Sequence, residues 1–255
     1  MDYPLPDSPA EHRRLKLQGH LYASATRSFL LEAGICEGMR VLDFGCGIGE
    51  VTALIAHGVG KRGKVVGVDQ PSQALAAARA RFVDQPNISF LPQIPRRGKF
   101  DAVVGQLVLM YCERPEEILQ RLAALVRPNG VIAFQEADHK NYMSTNTPSA
   151  LFELWRLRIL NTAVACGIEL SMELRLKKIF TAAKLPRPWV HTLTQIDKGD
   201  RAEICRLLAK TAHSFWPKMK QHGFVPREAR FPTRLTNELY TEAAQLDLTF
   251  RALAW

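Results

Sequence analysis

The sequence of 255 residues has little cysteine and no long hydrophobic run. Its five cysteines are odd in number, widely spaced and without a C-x-x-C pair, which excludes a disulfide scaffold and disfavours a closed zinc site. No apolar stretch approaches the ~18 residues that cross a bilayer, and residues 1–9 carry acids and prolines instead of a signal-peptide pattern. We therefore expect a reduced, cytoplasmic protein without a metal site that is neither secreted nor membrane-spanning.

Charge of one sign is concentrated in the second half of the chain. The formal net charge is +9, of which residues 1–139 carry +1 and residues 140–255 carry +8. Such an asymmetry suggests an anionic substrate, nucleic acid or an acidic partner for the second half. A solvated basic surface is the alternative interpretation.

Short apolar runs alternate with helical segments over the first half of the chain. After a predicted helix at 11–33, strands are predicted at 39–44, 64–69, 88–91, 100–106 and 131–136. This alternation predicts an α/β fold with a doubly wound, mostly parallel sheet, and ligands at the carboxyl ends of its strands.

The rhythm changes after residue 139. Helices are predicted at about 149–165, 170–184, 201–221 and 233–244, and strands at 189–194 and 246–255. We interpret the surplus helices as a cap over the ligand end of a seven-stranded sheet. The predicted division is an N-terminal helical lid at 1–38, a core at 39–139, and a cap with the last two strands at 140–255.

The most informative segment is a glycine-rich turn between a strand and a helix. Residues 41–50 read VLDFGCGIGE, with glycines spaced G-x-G-x-G instead of the G-x-G-x-x-G of dinucleotide sites. Asp43 and Glu50 flank this loop, where they would repel a pyrophosphate and suit a cationic ammonium group. Asp69 ends the next strand, where an acid can accept hydrogen bonds from a ribose diol or cap the following helix.

Four motifs in this order resemble the class I S-adenosylmethionine-dependent methyltransferases, particularly the small-molecule enzymes of microbial metabolism. The motifs lie at 41–50, 67–70 (GVDQ), 100–104 (FDAVV) and 125–131 (LVRPNGV), within a resemblance that spans about residues 11–139. The resemblance implies a Rossmann-like core, S-adenosylmethionine as cofactor and S-adenosylhomocysteine as product.

The resemblance also implies roles for individual residues. Asp43 would help to hold the cofactor ammonium through the loop, Asp69 would bind the ribose and Gln70 would lie against the adenine. The main chain around Gln106 would lie beside the sulfonium. Many relatives place Gly-Asp-Ala after the third strand, whereas this chain has Gln93, whose amide can still contact the adenine. The glycines implied to cradle the methionine end are Gly45, Gly47 and Gly49.

Candidates for catalysis and acceptor binding are less specific. His139, just past the fifth strand, has an ordinary pKa suited to a general base, although a capping histidine would look the same. Tyr22 could close over the cofactor or sit at the edge of the core.

Trp155 and Arg158 fall near one helical face and could line an acceptor pocket. Arg156 lies about 200° from Arg158 on that helix, so only one of them can face the pocket. Further candidates for an anionic acceptor are Arg175 and Lys177.

These observations predict a methyltransferase that acts on a small organic molecule, with an anion as a candidate acceptor. The Asp/Asn-Pro-Pro-Tyr/Phe motif of exocyclic amine methylation is absent. Cys112 is a poor candidate for the nucleophile of cytosine methylation because Glu113 adjoins it. Nucleic acid is therefore not the expected substrate. An RNA or protein methyltransferase and a non-catalytic cofactor-binding scaffold or regulator are the alternatives, and the oligomeric state stays open.

Overall fold

The computed structural model describes residues 3–70, 72–137, 144–146, 148–191, 193–198 and 202–254. Helices alternate with strands over the first half of the chain, and helices dominate the second half. The elements are α1 (Pro9–Glu32), β1 (Arg40–Phe44), α2 (Glu50–Val59), β2 (Lys64–Val68), α3 (Gln73–Arg81), β3 (Ile88–Leu91), β4 (Phe100–Gln106), α4 (Pro115–Ala123), β5 (Val126–Gln135), β6 (Ser144–Thr145), α5 (Ala150–Ala165), α6 (Met172–Ala182), β7 (Leu193–Lys198), α7 (Glu203–Gln221), α8 (Leu235–Gln245) and β8 (Thr249–Ala254).

A parallel sheet of five strands in the order β3-β2-β1-β4-β5 forms the centre of the fold. Its central strand, β1, pairs with β2 on one side and β4 on the other, so that Asp43 lies level with Gly67 and Val104. The strand order reverses at β1 and β4, which opens a crevice at their carboxyl ends. The predicted doubly wound α/β sheet is confirmed.

The predicted number of seven strands in one sheet is wrong for the described residues. β7 and β8 pair with each other in antiparallel fashion and form a separate sheet, in the order β6-β8-β7. They pair with each other over six residues, so each has a hydrogen-bonding partner other than β5. β7 also begins at Leu193 instead of residue 189, after a segment in which Pro186 and Pro188 lack the N–H that a ladder requires.

Apolar side chains cover both faces of the parallel sheet. Alternate residues of one strand point to opposite faces, so Val41 joins one cluster with α2 and α3 while Leu42 joins the other with α4 to α8. Both side chains are fully buried. None of the described helices combines the length and the apolar character that a membrane span requires.

The start of α1 is well specified by local chemistry. Ser8 adopts an extended conformation and its hydroxyl accepts the N–H of Glu11 at 3.2 Å, while Pro9 occupies the first helical position. The segment that precedes the helix folds back over the carboxyl ends of the strands. Asp7 anchors it there, because its carboxylate binds His12 at 2.8 Å and accepts the N–H of Gln73 at the start of α3.

Candidate cofactor and acceptor site

The glycine loop after β1 makes a turn that side chains would obstruct. Gly45 has a φ of +76°, and a Cβ built on it would lie 2.3 Å from Cγ2 of Val108. The N–H groups of Gly45 and Cys46 donate to the carbonyl of Val68 at 2.8 and 3.1 Å, which ties the loop to β2. Only glycine combines this backbone conformation with so close an approach. Gly47 and Gly49 also have positive φ values, of +50° and +86°.

Asp43 supports the loop from beneath instead of lining the crevice. Its side chain is buried, and the hydroxyl of Thr52 in α2 donates to its Oδ2 at 2.6 Å. Burial, together with the nearby charge of Asp69, raises the pKa of Asp43 to about 7, and the Thr52 hydrogen bond opposes that rise. Asp43 therefore carries a poorly solvated carboxyl group whose protonated form is favoured by burial.

Asp69 lies at the end of β2 and faces the crevice. Its Oδ2 accepts the N–H of Gly47 and its Oδ1 accepts the N–H of Gln70, each at 2.7 Å. Burial raises its pKa, while these two hydrogen bonds lower it. The cap of α3 is Ser72, whose hydroxyl accepts the N–H of Leu75, so Asp69 does not serve as the helix cap.

A chamber of about 220 Å³ occupies the crevice between the loop, Asp69 and α1. Among the described residues its lining includes the carboxylates of Asp7, Glu11, Glu50 and Asp69 and the bases His12 and Arg14. His12 binds Asp7, Arg14 binds Glu11, and Arg81 of α3 binds Glu50. Asp69 is held by the backbone N–H groups of Gly47 and Gln70, and its carboxylate favours a cationic ligand over a diphosphate in this chamber. α1 also approaches the loop closely, because a Cβ on Gly19 would meet Cγ of Glu50 at 2.6 Å.

The turn that follows β4 forms the floor of the chamber in an unusual backbone conformation. Leu107 has a φ of +49°, which non-glycine residues rarely adopt. Its N–H donates to the carbonyl of Gln135 at 2.8 Å. The fully buried carboxylate of Glu136 accepts the N–H groups of Val108 and Leu109 at 3.1 and 2.9 Å. The surrounding hydrogen bonds thus hold this turn in place.

A cluster of amides and a hydroxyl links this turn to α1. Nε2 of Gln106 donates to the hydroxyl of Thr26 and to Oε1 of Gln135, the latter at 2.7 Å. The Thr26 hydroxyl also donates to Oε1 of Gln135 at 3.1 Å. The side chain of Gln106 is therefore oriented by two partners while its residue lines the chamber.

A buried ion pair closes the chamber from the side of α1. Arg14 binds Glu11 through Nε and Nη2, with the shortest distance 2.7 Å, and its Nη1 donates to Gln18. The hydroxyl of Tyr3 donates to Oε1 of Glu11 at 2.6 Å, and the Tyr3 ring packs edge-on against Tyr111. The arginine beside Glu11 holds the pKa of that carboxyl below its usual range, although burial opposes this shift.

The structure brings together most of the residues proposed for the cofactor. Among the described residues, the chamber is lined by Gly45, Gly47, Asp69, Gln70 and Gln106. Asp43 and Gly49 lie within or below the loop and do not line it.

Tyr22 and Gln93 are placed elsewhere. Tyr22 is buried on α1 away from the lining, since residues 11–19 of that helix provide the contacts. Gln93 is exposed beyond β3 and does not reach the chamber. His139 lies outside the described residues, so its role stays a prediction.

The residues proposed for the acceptor lie in three separate places. Trp155 is buried against Trp216 and Phe231, and the guanidinium of Arg158 lies over the Trp155 ring at 4.9 Å. Arg156, not Arg158, lines a second cavity beside the cofactor chamber. Arg175 and Lys177 are exposed on α6, and Arg175 pairs with Glu169 at 2.7 Å.

Several lining residues could not be assigned from the sequence. Tyr3 and Asp7 reach the chamber because the chain before α1 folds back over the sheet, and Glu11 and Arg14 because the first turns of α1 lie beside it. The Ser-Pro-Ala-Glu start of α1 was the available local signal, because Ser8 and Glu11 have the spacing of a capping box. That spacing predicts where the helix begins, but it does not predict which part of the sheet the helix packs against.

Comparison with known proteins places this geometry in a family. A family model described as "Methyltransferase domain" matches residues 35–184, which is more than half of the chain. The chain belongs to this methyltransferase family. The match confirms the resemblance to class I S-adenosylmethionine-dependent methyltransferases, whose cofactor is S-adenosylmethionine.

Individual relatives agree with the family match. An uncharacterized methyltransferase of Mycobacterium tuberculosis is 34% identical over 146 residues, covering 54% of this chain and 66% of the relative. A trans-aconitate 2-methyltransferase of Variovorax paradoxus is 31% identical over 138 residues, covering 52% of this chain and 51% of the relative. The chain thus spans less than two thirds of the curated relatives it matches.

The fold also has solved counterparts. A crystal structure of a Bacillus halodurans protein superposes with a TM-score of 0.59 and 16% identity, covering 91% of this chain and 96% of the other. At this identity the likeness concerns the fold alone.

Proposed function

We propose that the protein transfers the methyl group of S-adenosylmethionine to a small organic acceptor. The observation that carries this proposal is the chamber in which Asp69, the glycine loop and the turn after β4 converge under α1. Its acids suit the cationic cofactor, and the turn at Gly45 has no room for a side chain. The residues present therefore fit S-adenosylmethionine.

In this proposal each part of the chamber has a distinct task. Asp69 binds the ribose hydroxyls, Gln70 lies against the adenine, and the loop above Asp43 receives the methionine end. The turn at Gln106 and Leu107 faces the reacting centre. When bound, S-adenosylmethionine supplies a methyl group on an already activated sulfur, so the protein has mainly to align the acceptor and exclude water.

The second half of the chain supports a small acceptor. In the described part of the chain, helices α5 and α7 line a small cavity of about 80 Å³ beside the cofactor chamber. The names of relatives agree, since one is a trans-aconitate 2-methyltransferase and another a ubiquinone biosynthesis O-methyltransferase. We propose a metabolite-sized acceptor on these grounds.

Cysteine chemistry gives no support to cytosine methylation. Burial, with the charge of Glu136 nearby, raises the pKa of the Cys112 thiol to about 12. A thiol with this pKa is protonated at neutral pH and is a weak nucleophile.

The decisive experiment is incubation with S-adenosylmethionine labelled in its methyl group and a cell extract, followed by separation of metabolites, RNA and protein. The proposal predicts label in the metabolite fraction, and mass analysis then identifies the acceptor. Label confined to RNA or protein would favour the macromolecular alternative. Cofactor binding without labelling of any fraction would favour a non-catalytic scaffold.

A further inference from the structure

A second cavity of about 80 Å³ lies directly behind the cofactor chamber. It is enclosed by α1, the turn after β4 and the cap helices α5 and α7, and we call it the inner chamber. The two chambers have part of their lining in common. The shared residues are Leu5, Arg14, Gln18, Leu107, Met110 and Tyr111.

The shared wall is the place where a reaction between two bound molecules would occur. It includes Leu107, the residue held at positive φ by the hydrogen bonds of Gln135 and Glu136 to its turn. Rare backbone conformations that are fixed by their surroundings concentrate at functional sites. The inner chamber is therefore positioned to present an acceptor to a methyl group held in the cofactor chamber.

The walls of the inner chamber are predominantly apolar. Ile159 and Leu160 project from α5, and Leu207, Leu208 and Phe215 from α7. The three residues of α7 are buried in the core that the cap shares with the sheet. Such walls favour apolar surface and penalise polar groups that find no partner.

Both positive charges of the inner chamber already face a carboxylate. Arg14 pairs with buried Glu11 at 2.7 Å, and Arg156 pairs with Glu153 at 2.6 Å through two nitrogens. A carboxylate or phosphate that entered would have to compete with Glu11 or Glu153 for its counter-ion. Burying a charge without such compensation is strongly unfavourable.

Hydrogen-bonding groups for a neutral ligand are present at the shared wall. Burial raises the pKa of Tyr111 to about 12, so its phenol remains protonated at neutral pH and can donate a hydrogen bond. The hydroxyl-bearing Thr211 lines the inner chamber on the side of α7.

We propose that the inner chamber binds the methyl acceptor and that this acceptor is an uncharged, predominantly apolar molecule whose polar group lies at the shared wall. This inference rests on the proposed function and narrows its substrate class. It differs from the anionic acceptor suggested by the basic second half of the sequence.

The test uses the full chain saturated with S-adenosylhomocysteine and two probes of similar shape, 4-methylphenol and 4-methylbenzoate. Calorimetry measures the affinity of each probe. The phenol should bind at least ten-fold more tightly than the benzoate. Leu160→Phe, which fills the inner chamber, should weaken phenol binding at least ten-fold. Leu157→Phe, on the exposed side of the same helix, should leave it unchanged.

A second variant tests the charge argument on a surface residue. Glu153→Gln removes the carboxylate that competes with the benzoate for Arg156 and should increase benzoate affinity several-fold, with little effect on the phenol. Benzoate binding equal to or tighter than phenol binding, no binding of either probe, or an unchanged Leu160→Phe protein would overturn the inference. If the unmodified protein did not bind S-adenosylhomocysteine, the proposed function itself would be refuted. Failure of the proposed function and failure of this inference are therefore distinguishable.

Discussion

Asp43 offers a sharp test of how burial beneath the glycine loop affects stability. The change is Asp43→Asn, which keeps an oxygen to accept the Thr52 hydroxyl at the same place but cannot ionise. In the folded protein the pKa of Asp43 is about 7, compared with about 3.9 in an unfolded chain. Because the folded state binds the proton more tightly, the stability from this group is complete below pH ~4 and is lost as pH rises to ~7.

The size of the effect follows from the two pKa values. Each unit of difference corresponds to about 1.4 kcal/mol, so the unmodified protein should lose on the order of 4 kcal/mol relative to Asp43→Asn between pH 4 and pH 7. The difference should be flat above pH ~7. This full value applies because the carboxyl group is completely screened from solvent.

The assay is urea unfolding of both proteins at half-unit pH intervals from 4.5 to 8.5. Asp84→Asn, a change at an exposed carboxylate, is the control and should follow the unmodified protein throughout. A stability difference between Asp43→Asn and the unmodified protein that does not change with pH would refute the reasoning, since it would mean that Asp43 is equally ionised in both states.

Three further variants test other parts of the site. Gly45→Ala should weaken S-adenosylmethionine binding at least ten-fold in calorimetry, whereas Gly38→Ala, with a similar φ of +84° but open space around it, should not. Asp69→Ala should cost about 1.5 to 3 kcal/mol of cofactor affinity, as for hydrogen bonds to charged groups, and an unchanged affinity would exclude a ribose contact. Glu136→Ala leaves two buried N–H groups without their acceptor and should lower the free energy of unfolding by about 2 to 4 kcal/mol; denaturant unfolding that shows no loss would contradict its role in holding the turn.

The parallel sheet was predictable because a short apolar run in the sequence marks each of its strands. β3 and β4 have the predicted bounds, and β1 and β2 differ from prediction by one residue at one end. The prediction for β5 was 131–136, whereas the strand begins at Val126 and ends at Gln135. The turn at Gly45 and the acid at Asp69 were visible for the same reason, since a glycine loop and a terminal carboxylate are adjacent to their strands in sequence. Local sequence patterns therefore located the part of the cofactor chamber that is formed by the glycine loop and Asp69.

The position of α1 over the chamber and the arrangement of the elements after β5 were not predictable from local patterns. Whether Tyr22 or Tyr3 faces the ligand depends on how α1 lies across the sheet, which no periodicity records. The choice between Arg156 and Arg158 depends equally on the rotation of α5 about its axis. The partner of β7 is decided by competition between strands far apart in sequence, and the 189–194 prediction failed beside two prolines.

The central claim is that the chamber under α1 binds S-adenosylmethionine. The most direct test is calorimetric titration of the full chain with S-adenosylmethionine, S-adenosylhomocysteine and NAD under identical conditions. The account predicts saturable binding of the first two at one site per chain, and no comparable binding of NAD, whose diphosphate would meet the carboxylate of Asp69. Tighter binding of NAD, or no binding of S-adenosylmethionine, would contradict it.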